Sequence, residues 1–102
     1  MYELGYLPIA MQDMTEIARY ISQDFCNPSA AEKLANEMIV AVENLIAVPY
    51  VNAIHHTIKL LKQEYRKLIV KNYVVFYWVD ENEKKVVVAR VVYFRRDYEK
   101  LL

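Results

Sequence analysis

Side chains suited to an anionic partner crowd into residues 65–98. Arg66, Lys67 and Lys71 open this stretch, Tyr73 and Tyr77 follow, and Arg95 and Arg96 close it just ahead of Asp97 and Tyr98. A guanidinium binds phosphate or carboxylate through two parallel hydrogen bonds, an ammonium does so as a point charge, and a tyrosine ring stacks on flat groups. The pattern reads as a small sheet with a rim of Arg, Lys and Tyr that meets an anionic partner. Proton transfer is less clearly provided for. The available groups are Tyr73, Tyr77, Tyr93, Tyr98, Glu64, His55 and His56, and no spacing among them selects an acid and a base.

The formal charge of zero conceals a division along the chain. Residues 1–56 hold two basic side chains against seven acidic ones, whereas residues 57–102 hold 11 against six. Such asymmetry points to a nucleic-acid or acidic-protein surface on one side, or to two oppositely charged layers that complement each other. Cys26 is the single cysteine, which rules out an internal disulfide or a Cys-based zinc site and fits a reducing compartment. Adjacent His55 and His56 are expected as an exposed loop pair with no third ligand near them, so neither metal nor cofactor is expected. The first residues lack the basic start and apolar run of a signal peptide, and no stretch approaches the roughly 18 apolar residues of a membrane span. A soluble cytoplasmic protein with no membrane partner is the expectation.

The positioning elements follow from periodicity. A length of 102 residues with 56% hydrophobic content suits one domain, residues 1–102, with a single core. Alternation over residues 2–7 predicts a short strand that Pro8 ends. Ala10, Met14, Ile17, Ala18, Ile21 and Phe25 then recur at helical spacing and predict a first helix from Ile9 onward. Asn27–Pro28 is a strong helix start, and Ala31, Leu34, Ala35, Met38, Val42, Leu45 and Ile46 mark a second stripe that stops at Pro49. The two helices should pack as an antiparallel hairpin, with Ala31 and Ala35 allowing close approach. Residues 50–64 lack a clean period and read as a loop with at most a short turn or strand.

Beyond Tyr65 the period becomes two. Strands are expected over residues 65–71, 73–79 and 85–94, with a polar turn at 80–84. Strict alternation in the last strand would put Val86, Val88, Arg90, Val92 and Phe94 on one face. Arg90, among apolar neighbours, would lie at a sheet edge or pair with a helix acid such as Glu37 or Glu43. The whole is an α+β domain: an N-terminal strand, an antiparallel helical hairpin, then a three-stranded antiparallel meander forming one sheet.

The strings DMTEIARYI, NPSAAEKLANEMIVAVENLIAVP, YRKLIVKNYVVFYWV and RVVYFRRDY together resemble the RelE/ParE superfamily of bacterial type II toxin–antitoxin toxins, the plasmid stabilization proteins, over nearly the whole chain. The resemblance implies a microbial-RNase-like fold, growth arrest, and neutralisation by a cognate antitoxin in a possible hetero-oligomer. RelE-like members are metal-independent, ribosome-dependent endoribonucleases. In that pattern Arg66, Arg96 and Tyr98 take the catalytic positions, while Lys67, Lys71, Tyr73, Tyr77 and Arg95 bind substrate or partner. Two further positions, where RelE carries Lys and Arg, hold Leu68 and Val74. ParE-like members inhibit DNA gyrase without cutting RNA, and the long helical hairpin with its NPSAAEK start is similar to theirs. The resemblance leaves the target open between mRNA on the ribosome and gyrase, with a diverged, inactive interaction module as a further alternative.

Overall fold

The computed structural model describes residues 2–24, 26–55 and 63–94. Strand β1 (Glu3–Tyr6) leads into helix α1 (Pro8–Arg19), which widens into a π-helical turn over Tyr20–Asp24. Helix α2 (Pro28–Glu43) tightens into a 3-10 turn over Asn44–Ile46, and strands β2 (Arg66–Val70), β3 (Tyr73–Asp80) and β4 (Lys85–Tyr93) complete the fold. The sheet order is β1-β4-β3-β2, with β2, β3 and β4 antiparallel and β1 parallel to β4. This is the expected α+β arrangement.

Local chemistry explains where the helices begin. Pro8 is the first residue of α1, so the proline that ends β1 also sets the first helical φ. At α2 the Asn27 side chain accepts the Ala30 N–H at 3.1 Å, with Pro28 in the first turn, satisfying one amide that has no helical partner. Met14, Ile17 and Ala18 of α1 face Ala31, Leu34, Ala35 and Met38 of α2, so the small residues lie in the contact as their spacing predicts. The α-helical part of α1 nevertheless ends at Arg19, and Phe25 lies outside the described residues.

The helices cover one sheet face. Ala10, Met38, Val42, Val70, Val75, Val88 and Val91 form the central core, with Leu45, Tyr77 and Val86 as a second cluster toward the β3–β4 turn. Val74, Phe76 and Val92 form a third cluster, joined by Tyr65. His55 is buried and meets Phe76 edge-on at 5.1 Å, which corrects the expectation of an exposed histidine pair; His56 lies outside the described residues. The histidine enters the interior because residues 53–55 pair with the start of β2, through an Ile54–Arg66 bridge.

Strict alternation in β4 fails at one point. Phe76 is opposite Arg90 while Tyr77 is opposite Val88, so Ala89 is an extra residue in a β-bulge. The bulge reverses the phase: Val86, Val88 and Val91 all pack in the helix-side clusters, and Val92 belongs with Val74 and Phe76. The partner of Arg90 also differs from both expected acids. Asp13 of α1 accepts Arg90 Nε at 2.8 Å and Nη2 at 3.0 Å, and it also accepts the Val91 backbone N–H at 3.0 Å. Asp13 wins because β1 pairs with β4 only as far as Val88, and α1 lies along β4 beyond that point.

Both side chains of this pair are largely buried, at 14% and 11% exposure, so removing one strands the other charge. Asp13→Ala should cost about 3 kcal/mol in chemical denaturation. The double variant Asp13→Ala with Arg90→Met should recover part of that loss, and strictly additive losses would show that the pair is not coupled.

Candidate functional site

Arg66 begins β2, and its guanidinium meets the preceding loop through Nη1 and through one face. Nη1 donates to Asn52 O at 2.7 Å and, more weakly, to Tyr50 O at 3.4 Å, while the group lies 4.9 Å from the centre of the Tyr50 ring. Nη2 is 3.7 Å from Glu64, and the arginine side chain is 15% exposed. Across the ladder from Arg66 stands Tyr77, which is completely buried. Its hydroxyl donates to Pro49 O at 3.0 Å and accepts Asn52 Nδ2 at 3.2 Å, and burial pushes its pKa up. Tyr77 therefore fastens the loop at residues 49–52 and offers no surface to a partner, contrary to the sequence expectation. Uninterrupted alternation in β3 places it on the helix side with Tyr73 and Val75, among Leu45 and Val86.

Lys67 is half-buried on the strand after Arg66, and Lys71 sits in the β2–β3 turn with φ 55° and its ammonium 3.7 Å from Glu37. Tyr73 is half-buried beside the turn and meets Tyr93 edge-on at 5.8 Å. Arg66 and Lys71 stand at opposite ends of β2, roughly 16 Å apart at about 3.3 Å per residue. The structure thus unites Arg66 with Tyr77 and Lys71 with Tyr73, but not the two pairs with each other. Arg95, Arg96 and Tyr98 lie outside the described residues.

Two features escaped the sequence. A groove of about 720 Å³ lies between the helical hairpin and the ends of β3 and β4, with Ile17, Ile21 and Leu34 along one side and Tyr20, Tyr73 and Tyr93 around it. Burial is the main cause that raises the Tyr73 pKa, with the hydroxyls of Tyr93 and Tyr20 adding to it. The available signal was Tyr20, three residues after Ile17 on the same helical stripe. At the opposite end of the sheet, Glu81 of the β3–β4 turn accepts the Tyr2 hydroxyl at 2.8 Å, the Tyr50 hydroxyl and the Lys84 ammonium. Hydrogen bonds from Lys84, Tyr50 and Tyr2 hold the Glu81 carboxyl down at about 2, and the bond to Glu81 pushes Tyr50 up to about 12. Nothing in the sequence brings residues 2, 50 and 81 together.

Among the described residues, no group of three His, Cys, Asp or Glu side chains is placed to hold a metal ion, and no helix is long and apolar enough to cross a membrane. A family model described as the ParE toxin of the type II toxin–antitoxin system parDE matches residues 5–98. The chain belongs to this ParE toxin family.

Solved structures agree on the fold. A chain of the chromosomal ParDE toxin–antitoxin system from P. aeruginosa superposes with a TM-score of 0.70 at 19% identity, covering 91% of this chain and 96% of that one. The RelBE2 toxin–antitoxin complex from Mycobacterium tuberculosis gives 0.61 at 16% identity, covering 90% and 96%. The intact RelBE complex from E. coli gives 0.60 at 15%, covering 94% and 100%. No curated protein matches the sequence. This ParE-family chain is thus a type II toxin–antitoxin toxin of the RelE/ParE superfamily.

The Glu81 cluster makes acid stability testable. Because the folded-state pKa lies below the ordinary 4.5, its contribution is present above about 4.5 and is lost as pH falls toward about 2. Unfolding midpoints measured across that window should fall more steeply for the native chain than for Glu81→Gln. Parallel curves would remove Glu81 from the acid response.

Proposed function

We propose that this chain arrests bacterial growth by binding DNA gyrase stoichiometrically, in the manner implied by its likeness to ParE-type members, and that a cognate antitoxin neutralises it. The observation that carries this reading is the commitment of Arg66. A cation that stabilises a pentavalent phosphorane must present open donors to the reacting phosphate. Here Arg66 Nη1 donates to loop carbonyls, its face lies on Tyr50, and the side chain is 15% exposed. The two positions where RelE-like members carry further cations support the same reading: Leu68 packs with the core, and Val74 is 2% exposed. An enzyme would have to break the Arg66 contacts before using it, whereas a binding protein keeps them.

The structural role predicts that Arg66→Ala lowers stability by about 1.5–3 kcal/mol, the scale of a charged hydrogen bond, in urea denaturation. For function, the purified chain should inhibit supercoiling by gyrase in proportion to its molar ratio to the enzyme. A reporter mRNA read by primer extension on translating ribosomes should stay intact. Cut mRNA with normal supercoiling would overturn the gyrase reading in favour of ribosome-dependent cleavage. Antitoxin neutralisation is checked by co-expressing the neighbouring reading frame, which should restore growth.

A further inference from the structure

Between buried Pro49 and buried His55 the chain crosses the Arg66 end of β2 as a strap. The middle of this strap lies outside the core: Val51 is 67% exposed, and Tyr50 and Ala53 are exposed as well. Polar contacts hold it down. Arg66 Nη1 donates to Asn52 O at 2.7 Å, the Lys67 N–H donates to Ala53 O at 3.2 Å, and Asn52 Nδ2 donates to the Tyr77 hydroxyl at 3.2 Å. The Tyr50 hydroxyl donates to Glu81, which also accepts from Tyr2 and Lys84, so one carboxylate ties the strap to the residue ahead of β1 and to the β3–β4 turn. The two ends are fixed more deeply. Pro49 O accepts the Tyr77 hydroxyl at 3.0 Å, and the His55 N–H donates to Tyr65 O at 2.8 Å.

We propose that residues 50–53 open as a unit between these two fixed ends, with the Tyr50–Glu81 hydrogen bond as the latch and the Arg66 guanidinium as the group that the strap covers. A segment with few buried apolar contacts and exposed hydrogen bonds opens at lower free energy than the core beside it. The bonds to Glu81 lie at the surface, where water competes for each of them. Opening leaves the sheet whole, because the strap meets the ladder only at Lys67, and β2 keeps its pairing with β3. Closed, this end of the molecule presents the Tyr50 ring and Val51, with Arg66 only 15% exposed. Open, it presents the Arg66 guanidinium with Nη1 and the face under Tyr50 released. The strap thus exchanges an aromatic and apolar surface for a cationic one, and a ligand with unequal affinity for the two would shift the balance. The proposal does not rest on the gyrase reading, because it is drawn from the strap's own contacts and its test reads neither growth nor supercoiling.

The test is phenylglyoxal labelling of guanidinium groups in the full chain, read by peptide mass spectrometry, with exposed Arg19 and Asp13-bound Arg90 as internal references. In the native chain Arg66 should label roughly tenfold more slowly than Arg19. Tyr50→Phe keeps the ring but removes the latch hydroxyl, and it should speed the labelling of Arg66 roughly threefold while leaving Arg90 unchanged. Glu81→Ala, which removes the acceptor instead, should do the same. Amide hydrogen exchange supplies a second reading. The Lys67 amide, bonded to Ala53 O, should exchange roughly threefold faster in both variants, whereas the His55 and Val91 amides should keep their native rates. Native Arg66 labelling as fast as Arg19, no acceleration in either variant, or equal acceleration at Arg66 and Arg90 would each overturn the proposal. The last of these would mean that the domain opens as a whole and the strap has no motion of its own.

Discussion

The carboxylate of Asp13 holds three donors at the place where the sheet would otherwise come apart. Strand β1 runs out at Val88, and beyond it β4 has an edge amide at Val91 and a largely buried guanidinium at Arg90. An unpaired amide and an unpaired buried charge are each costly, and one side chain from α1 answers both. Because Asp13 lies mid-helix, this contact fixes α1 along the sheet as well as satisfying the strand. Ile17, Tyr20 and Ile21 continue from the same helix into the groove, so the shape of that groove follows from the position of Asp13.

The bulge at Ala89 belongs to the same device. Without the extra residue, Val91 and Val92 would exchange faces, and the helix-side cluster would lose a valine that it shares with Val88 and Val75. A period of two cannot reveal this. Val and Ala occupy both faces of β4, so apart from Arg90 the strand's interior carries no polar marker at which the phase could be seen to slip. Arg90 was such a marker, but its partner depended on which helix covered the unpaired edge, a matter of tertiary packing rather than spacing.

Elements governed by local chemistry were legible. Asn27 and Pro28 define the start of α2, Pro8 ends β1, and the polar run at residues 80–84 turns the chain between β3 and β4. The small residues Ala31 and Ala35 occupy the helix contact for the reason their size suggests. Features that join distant residues were not legible. Tyr77 was expected to bind substrate or partner, yet it is buried, and the Pro49 carbonyl and Asn52 amide that satisfy its hydroxyl are 28 and 25 residues away. The same holds for the cluster around Glu81 and for the entry of His55 beside Phe76.

Fold likeness cannot choose between the modes of action in this superfamily, because both ParDE and RelBE structures superpose over nine-tenths or more of the chain. What separates one member from another is the use made of each cation. A guanidinium binds phosphate through open donors, and contacts with two carbonyls and a ring reduce the number it can offer. In this chain Arg66 fastens the loop at residues 50–52 onto β2. An arginine aligned by position and an arginine available for chemistry are therefore different things. The proposed gyrase reading rests on the hydrogen bonds around Arg66, together with Leu68 in the core and Val74 beneath the surface.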